Sequence, residues 1–120
     1  MAMPRLSFMK IIVGDVDRVF DFYNRVLGVE QHIRVRTGEG YEELDEIVSK
    51  PVGGEGGISL AIKRFVNRPA PVPGELQVGF TVENVDATLA AALDMGGSVL
   101  KPAVDMPEHG VRVAFFKDLE

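Results

Sequence analysis

Apolar and polar residues alternate in the first half of the chain along two segments, Leu6 to Val13 and Ile58 to Phe65, as in β-strands. From Val16 to Leu27 the apolar spacing changes to three and four, which predicts an amphipathic helix with Asp15 as its N-cap and Gly28 as its stop. The segments VEQHIRVR and YEELDEIVSK alternate again between the helix and the second segment. The predicted order is strand, helix and three strands.

The same order begins again after residues 66–74, a connector that contains three prolines and a glycine. LQVGFTV (Leu76 to Val82) is expected to be a strand, VDATLAAALDM a helix capped by Asn84, and SVLKPAV and VRVAFF two strands. Four identities recur at a separation of 69 residues, namely Val13 and Val82, Val16 and Val85, Asp17 and Asp86, and Gly28 and Gly97. These positions mark a strand end, a helix start and a helix stop, which indicates an internal repeat.

We therefore expect an α+β fold of two βαβββ modules in one domain, residues 1–120. Module one covers residues 5–65, the connector residues 66–74, and module two residues 75–120. Module two has no counterpart of ISLAIKRF before Glu120, so we expect its last strand to be missing. An unpaired edge is unfavourable, so we expect further chain or another subunit to cover it.

Composition narrows the classes of function. A chain of 120 residues with 46% hydrophobic residues can bury a core without a disulfide or a structural metal. It has no cysteine, which excludes thiolate chemistry and fits a reducing compartment. The net charge of −5 argues against a nucleic-acid partner. The sequence has neither an apolar run of about 20 residues nor a signal-peptide pattern, so we expect no membrane partner and a cytoplasmic location.

The segments VGDVDRVFDFYNRVLGV (Val13 to Val29) and GVRVAFFKDLE (Gly110 to Glu120) resemble the vicinal oxygen chelate superfamily. That group includes glyoxalase I, bleomycin-resistance and fosfomycin-resistance proteins, and extradiol dioxygenases. Leu119 departs from the pattern, because a proline is usual there. The resemblance implies two modules placed edge to edge, curved sheets that form a cup, helices on the outside, and a homodimer.

Strand alternation combined with this resemblance predicts which side chains line the cup. The expected ligand-binding residues are Phe8, Lys10, Ser59, Gln77, Thr81, Arg112 and Phe116. Arg112 has two equally weighted interpretations, a bidentate contact to an anionic ligand group or a salt bridge with one of the acidic residues.

The resemblance also implies where a metal would bind, because the family's metalloenzymes take ligands from four matching places. In this chain those places fall at Phe8, at Ser59 or, if the register slips by one, Leu60, at Gln77, and beyond Glu120. Phe8 cannot ligate a metal and a neutral serine is a poor ligand. We therefore expect no metal and no other cofactor.

The remaining donors do not rebuild such a site in the sequence pattern. His32 and His109 fall outside the four places, and both are expected to be exposed. The acidic residues Glu42, Glu43, Asp45 and Glu46 are divided between two strand faces, and a solvated edge explains most of them. No pair of converging carboxylates is evident, so no catalytic residue is assigned.

The leading hypothesis is a metal-free protein that binds a small organic ligand in the cup, in the manner of the bleomycin-resistance proteins. The alternative is a glyoxalase-like lyase or isomerase, or a dioxygenase, with a non-standard or absent metal site. A third hypothesis is a dimerisation or interaction unit whose cup is filled by its own side chains.

Overall fold

The computed structural model describes residues 3–74 and 76–120, so Glu75, where the predicted second module begins, lies outside the described residues. The elements in chain order are β1 (Phe8–Ile12), α1 (Val16–Leu27), β2 (Gln31–Thr37), β3 (Leu44–Ser49), β4 (Ser59–Phe65), α2 (Val85–Asp94), β5 (Ser98–Met106) and β6 (Val111–Lys117). Short 3-10 turns, Gly40–Glu42 and Pro107–His109, precede β3 and β6. The fold is α+β, as predicted. Within the described ranges, no helix is both long and apolar enough to cross a bilayer.

Both helices begin where the sequence predicts. The Asp15 carboxylate accepts a hydrogen bond from the backbone N–H of Arg18, which satisfies one of the free donors at the start of α1. Gly28 has a φ of 70° and closes the other end of α1 in the left-handed conformation. The side chain of Asn84 caps α2 in the same way, by accepting a hydrogen bond from Ala87.

The first half forms a four-stranded sheet in the order β1-β4-β3-β2. Strand β1 is parallel to β4, whereas β4, β3 and β2 are antiparallel neighbours. Helix α1 covers one face of this sheet, where Val19 and Phe22 are buried together with Leu60 and Ile62 of β4. This arrangement confirms the predicted strand–helix–three-strand order of the first half.

The second half departs from the prediction at residues 76–82, which form no strand. The two strands predicted after α2 are present as β5 and β6, but they form a separate two-stranded antiparallel sheet. In the first half, β1 obtains its hydrogen-bonding ladder from β4, the last strand of its module. The described part of the second half contains only two strands after α2, and neither pairs with residues 76–82. Alternation alone does not make a strand, because the backbone needs a hydrogen-bonding partner.

The segment that follows β6 joins the second half to α1. The Tyr23 hydroxyl donates a hydrogen bond of 2.6 Å to the Asp118 carboxylate. Burial of the ring raises the pKa of Tyr23 well above its ordinary value, and the bond to Asp118 raises it further. The Glu120 carboxylate accepts hydrogen bonds from the backbone N–H groups of Gly14, at 2.6 Å, and Asp15, at 2.8 Å. The start of α1 is therefore bound to the segment after β6 by charged groups.

Candidate functional site

One face of the four-stranded sheet points away from α1. Met9 and Ile11 of β1 pack against the core beneath the helix, so Phe8 and Lys10 lie on the opposite face. We call this opposite surface the cup face, and its side chains include Phe8, Lys10, Glu46, Ser59, Ala61 and Lys63.

Phe8 and Ser59 occupy the edge of the cup face as direct partners in the β1–β4 ladder. Phe8 is 59% exposed. Leu60 points the other way and is buried in the core at 2% exposure. Of the two places left open by the sequence, Ser59 is therefore the one that shares the cup face with Phe8.

Lys10 forms an ion pair on the cup face with Glu46, one of the four acidic residues most of which a solvated edge was expected to explain. Glu46 is not part of such an edge, because it is only 6% exposed. Lys10 Nζ lies 3.3 Å from Oε1 and 3.2 Å from Oε2 of the Glu46 carboxylate. Oε2 accepts no hydrogen bond from the described residues, although it lies within ion-pair distance of Lys10. Strand parity could have placed Glu46 on this face, but its partner lies two strands away, which parity does not show.

Lys63 lies directly opposite Glu46 in the β3–β4 ladder, yet the two side chains do not pair. The Lys63 ammonium lies instead 4.5 Å from the centre of the Phe65 ring. The guanidinium of Arg68 lies 3.6 Å from that ring and 3.8 Å from the ring of Tyr41. The cup face therefore continues into a row of alternating cations and aromatic rings.

Gln77 and Thr81 line a cleft rather than the cup face. The cleft has a volume of about 360 Å³, and its other lining residues are Met9, Val52, Gly53, Ile58, Leu60, Val78, Gly79 and Phe80. Phe8 and Ser59 do not line it. The described structure thus brings Phe8 and Ser59 together but places Gln77 against the neighbouring residues on the helix side of the strands.

Arg112 was expected to point into the cup, and that expectation is wrong. Its guanidinium donates hydrogen bonds of 2.9 and 3.1 Å to Asp86 at the start of α2, and one of 3.0 Å to Asp105 on β5. These bonds raise the pKa of Arg112 and hold the pKa of the exposed Asp86 carboxyl below its ordinary value. The salt bridge was the correct one of its two interpretations.

The first half contains the same arrangement. Arg34 on β2 bonds both Asp17, at the start of α1, and Asp45 on β3. Each half therefore links the first turn of its helix to an arginine and an aspartate on two neighbouring strands. In the second half the aspartate is on the earlier strand and the arginine on the later one.

Phe116 does not line the cup either. Its ring packs against the core with its centre 6.1 Å from that of Phe22 on α1. The alternation correctly grouped Phe116 with Arg112, but it assigned both to the wrong face of β6.

Three of the positions that match metal ligands in the family's metalloenzymes lie within this chain, and their side chains do not suit a divalent ion. Phe8 offers no donor atom, Ser59 offers a neutral hydroxyl, and Gln77 lies in the separate cleft. His32 and His109 are both exposed, as expected. Across residues 3–74 and 76–120, no three His, Cys, Asp or Glu side chains are grouped so that they could hold a metal ion.

A sequence profile of the Glyoxalase/Bleomycin resistance protein/Dioxygenase superfamily matches residues 5–119. The chain belongs to this superfamily, which confirms the resemblance seen in its helix and C-terminal segments. No curated protein matches the chain significantly in sequence.

Solved structures share the fold at low sequence identity. A glyoxalase family protein from Bacillus cereus has a TM-score of 0.72 at 16% identity, over 100% of this chain and 97% of that one. A mutant of glyoxalase I from Zea mays has a TM-score of 0.69 at 20% identity, over 94% of this chain but only 42% of the maize chain. A mutant fosfomycin resistance protein from Listeria monocytogenes, complexed with Mn(II) and 1S,2S-dihydroxypropylphosphonic acid, has a TM-score of 0.66 at 16% identity, over 98% of this chain and 86% of that one.

Proposed function

We propose that the protein binds a small organic molecule at the Phe8 end of the cup face, without a divalent ion or another cofactor. The observation that carries the proposal is the exposed Phe8 ring beside Ser59, at two places where metalloenzymes of the family have ligands. An aromatic ring offers a large apolar contact area, and a few polar groups around it orient a ligand. Ser59 and Lys10 supply such groups on the same face.

The position of this end matters because part of the cup face is filled by the protein itself. Ala61 is 1% exposed and Glu46 is 6% exposed, so the middle of the face is covered. The interaction-unit hypothesis expects a cup filled by the protein's own side chains. Only the middle of the face meets that expectation, because Phe8 remains exposed. Gln77 and Thr81 line the cleft on the helix side of the strands, so they have no part in binding at Phe8. Arg112 and Phe116 have no part in this proposal, since they lie on the helix side.

Ligand screening by NMR, with the backbone amides of β1 and β4 as reporters, tests the proposal. For any ligand that shifts these amides, we expect Phe8→Ala to lower the affinity at least about tenfold, because the ring supplies the contact area. Leu93→Ala is the control, since it removes an exposed apolar side chain from α2. A ligand that binds both variants equally well would place the binding site elsewhere.

Titration with Mn²⁺, Ni²⁺ and Zn²⁺ separates this proposal from its enzymatic alternative. We expect no tight binding of any of the three ions, because the donor set is incomplete. A tightly bound ion near Gln77, or turnover of a hemithioacetal or a catechol with added metal, would favour a lyase, isomerase or dioxygenase.

The expected homodimer and cytoplasmic location stay predictions. A dimer is supported by the partly exposed apolar side chains of β5 and β6, namely Val99, Leu100, Val104, Val111 and Phe115. Light scattering of the purified protein, measured over a range of concentrations, tests the oligomeric state.

A further inference from the structure

We propose that the ligand of the cup face is an organic anion and that Lys63 binds its charged group. This inference rests on the proposed function, because it specifies the chemistry of the same ligand. It follows from how the charges on the cup face are paired.

Three charged side chains lie together on this face, two ammonium groups and one carboxylate. The Lys10 ammonium is paired with the Glu46 carboxylate, with Nζ 3.2 to 3.3 Å from its two oxygens. Lys63 forms no ion pair with any residue that the structure describes. The three groups therefore leave one positive charge without an anionic partner.

The register shows why this pairing is informative. Side chains directly opposite each other in an antiparallel ladder lie about 5 Å apart at Cβ, so Glu46 would ordinarily pair with Lys63. Lys10 reaches Glu46 from β1 instead, across the intervening β4. Lys63 is thereby left with the Phe65 ring, a weaker partner than a carboxylate. A ligand anion can therefore pair with the Lys63 ammonium without breaking an existing ion pair.

Glu46 also constrains the ligand. Its carboxylate is nine-tenths buried, and Oε2 accepts no hydrogen bond among the described residues. A ligand anion placed against it without a cation between them would be repelled. The Lys10 ammonium, which neutralises Glu46, also lies 5.7 Å from the centre of the Phe8 ring. A ligand that extends from Lys63 to Phe8 would lie over the filled middle of the cup face, and it would therefore pass beside Lys10, a second cation, rather than beside an unpaired carboxylate.

The test compares two probes that differ in charge and little in shape, 2-naphthoate and 2-naphthamide, in NMR titrations of the full chain. We expect 2-naphthoate to shift the backbone amide signals of β4 and to bind about tenfold more tightly than 2-naphthamide. This difference is the effect of one charge-assisted hydrogen bond. Lys63→Met should abolish the preference for 2-naphthoate and leave the affinity for 2-naphthamide unchanged. Lys50→Met is the matched control, because it removes the same charge from an exposed side chain paired with Glu30, and it should preserve the preference.

Equal binding of both probes to the wild-type protein would overturn the inference but leave the proposed function intact. A preference that survives in Lys63→Met would overturn it as well. If neither probe shifts cup-face amides and Phe8→Ala changes no ligand titration, the proposed function itself fails. Salt provides a measurement without any variant, since the preference for the carboxylate should fall as NaCl is raised. A preference that is constant with salt would also contradict the inference.

Discussion

Lys10 and Glu46 form an ion pair that crosses a strand, with the ammonium on β1, the carboxylate on β3 and β4 between them. The pair ties the edge strand β1 to the middle of the sheet through side chains, in addition to the ladder with β4. Because the Glu46 side chain is 8% exposed and that of Lys10 is 36% exposed, the carboxylate depends on Lys10 for compensation.

We expect Lys10→Met to lower the free energy of unfolding by about 2 kcal/mol, because it leaves a buried carboxylate without a cation. Lys63→Met should lower it by less than about 1 kcal/mol, since only a cation–aromatic contact is lost. Urea denaturation at neutral pH measures both values. The double variant Lys10→Met with Glu46→Met should recover most of the loss, because apolar side chains of similar volume replace the pair. Equal losses in the two single variants would contradict the assigned pairing.

The hydroxyl of Tyr23 makes a second prediction possible. Tyr23→Phe removes its hydrogen bond to Asp118 and should lower the free energy of unfolding by about 2 kcal/mol, as expected for a partly buried bond to a charged group. Tyr41→Phe is the matched control, because Tyr41 is 68% exposed and its ring contact with Arg68 is kept. A loss as large in Tyr41→Phe would show that the Asp118 bond is not the cause.

The same bond has a pH dependence. The pKa of Tyr23 is raised in the folded protein above its ordinary value of 10.0. A raised pKa contributes stability that is fully present below pH 10 and is lost as the pH rises through the folded value. The difference between wild type and Tyr23→Phe should therefore shrink in denaturation experiments above about pH 10.

Acid should weaken the link that Arg34 makes between α1 and the sheet. Hydrogen bonds from Arg34 hold the pKa of Asp45 below its ordinary value of 3.8, and the pKa of Asp17 is lowered for the same reason. A lowered pKa contributes stability that is present above the unfolded value and is lost as the pH falls through the folded one. At pH 7, Arg34→Met should lower the free energy of unfolding by about 2 kcal/mol, because the partly buried Asp45 loses its main partner.

At pH 3 and below, this difference between wild type and Arg34→Met should become progressively smaller as Asp45 is protonated in both proteins. Arg25→Met provides the control, since Arg25 and Asp21 form an exposed pair on α1 and should contribute less than about 0.5 kcal/mol. A loss for Arg34→Met that is the same at pH 7 and pH 3 would contradict this account.

The repeat in the sequence was sufficient to predict the helices and the first module, because caps and periodicity are local signals. It was not sufficient for residues 76–82, since a strand also needs a partner that local pattern does not supply. The errors at Arg112 and Phe116 have a related cause. Alternation shows which residues share a face of β6, but only packing against α1 and α2 shows which face that is. The Lys10–Glu46 pair depends on strand order, which no periodicity contains.

Because Arg112 lies on the helix side of β6, its removal should leave ligand binding on the cup face intact. Arg112→Met removes its bonds to Asp86 and Asp105 on the helix side of β6, so we expect the affinity of the cup face for 2-naphthoate to change by less than about twofold. Lys63→Met should weaken the same binding about tenfold, because its ammonium contacts the ligand anion. Parallel NMR titrations of the two variants measure this difference in affinity. The comparison is matched because each variant loses one positive charge. If Arg112→Met weakened binding as strongly as Lys63→Met, Arg112 would have to contact the ligand, and its bonds to Asp86 and Asp105 would have to break on binding.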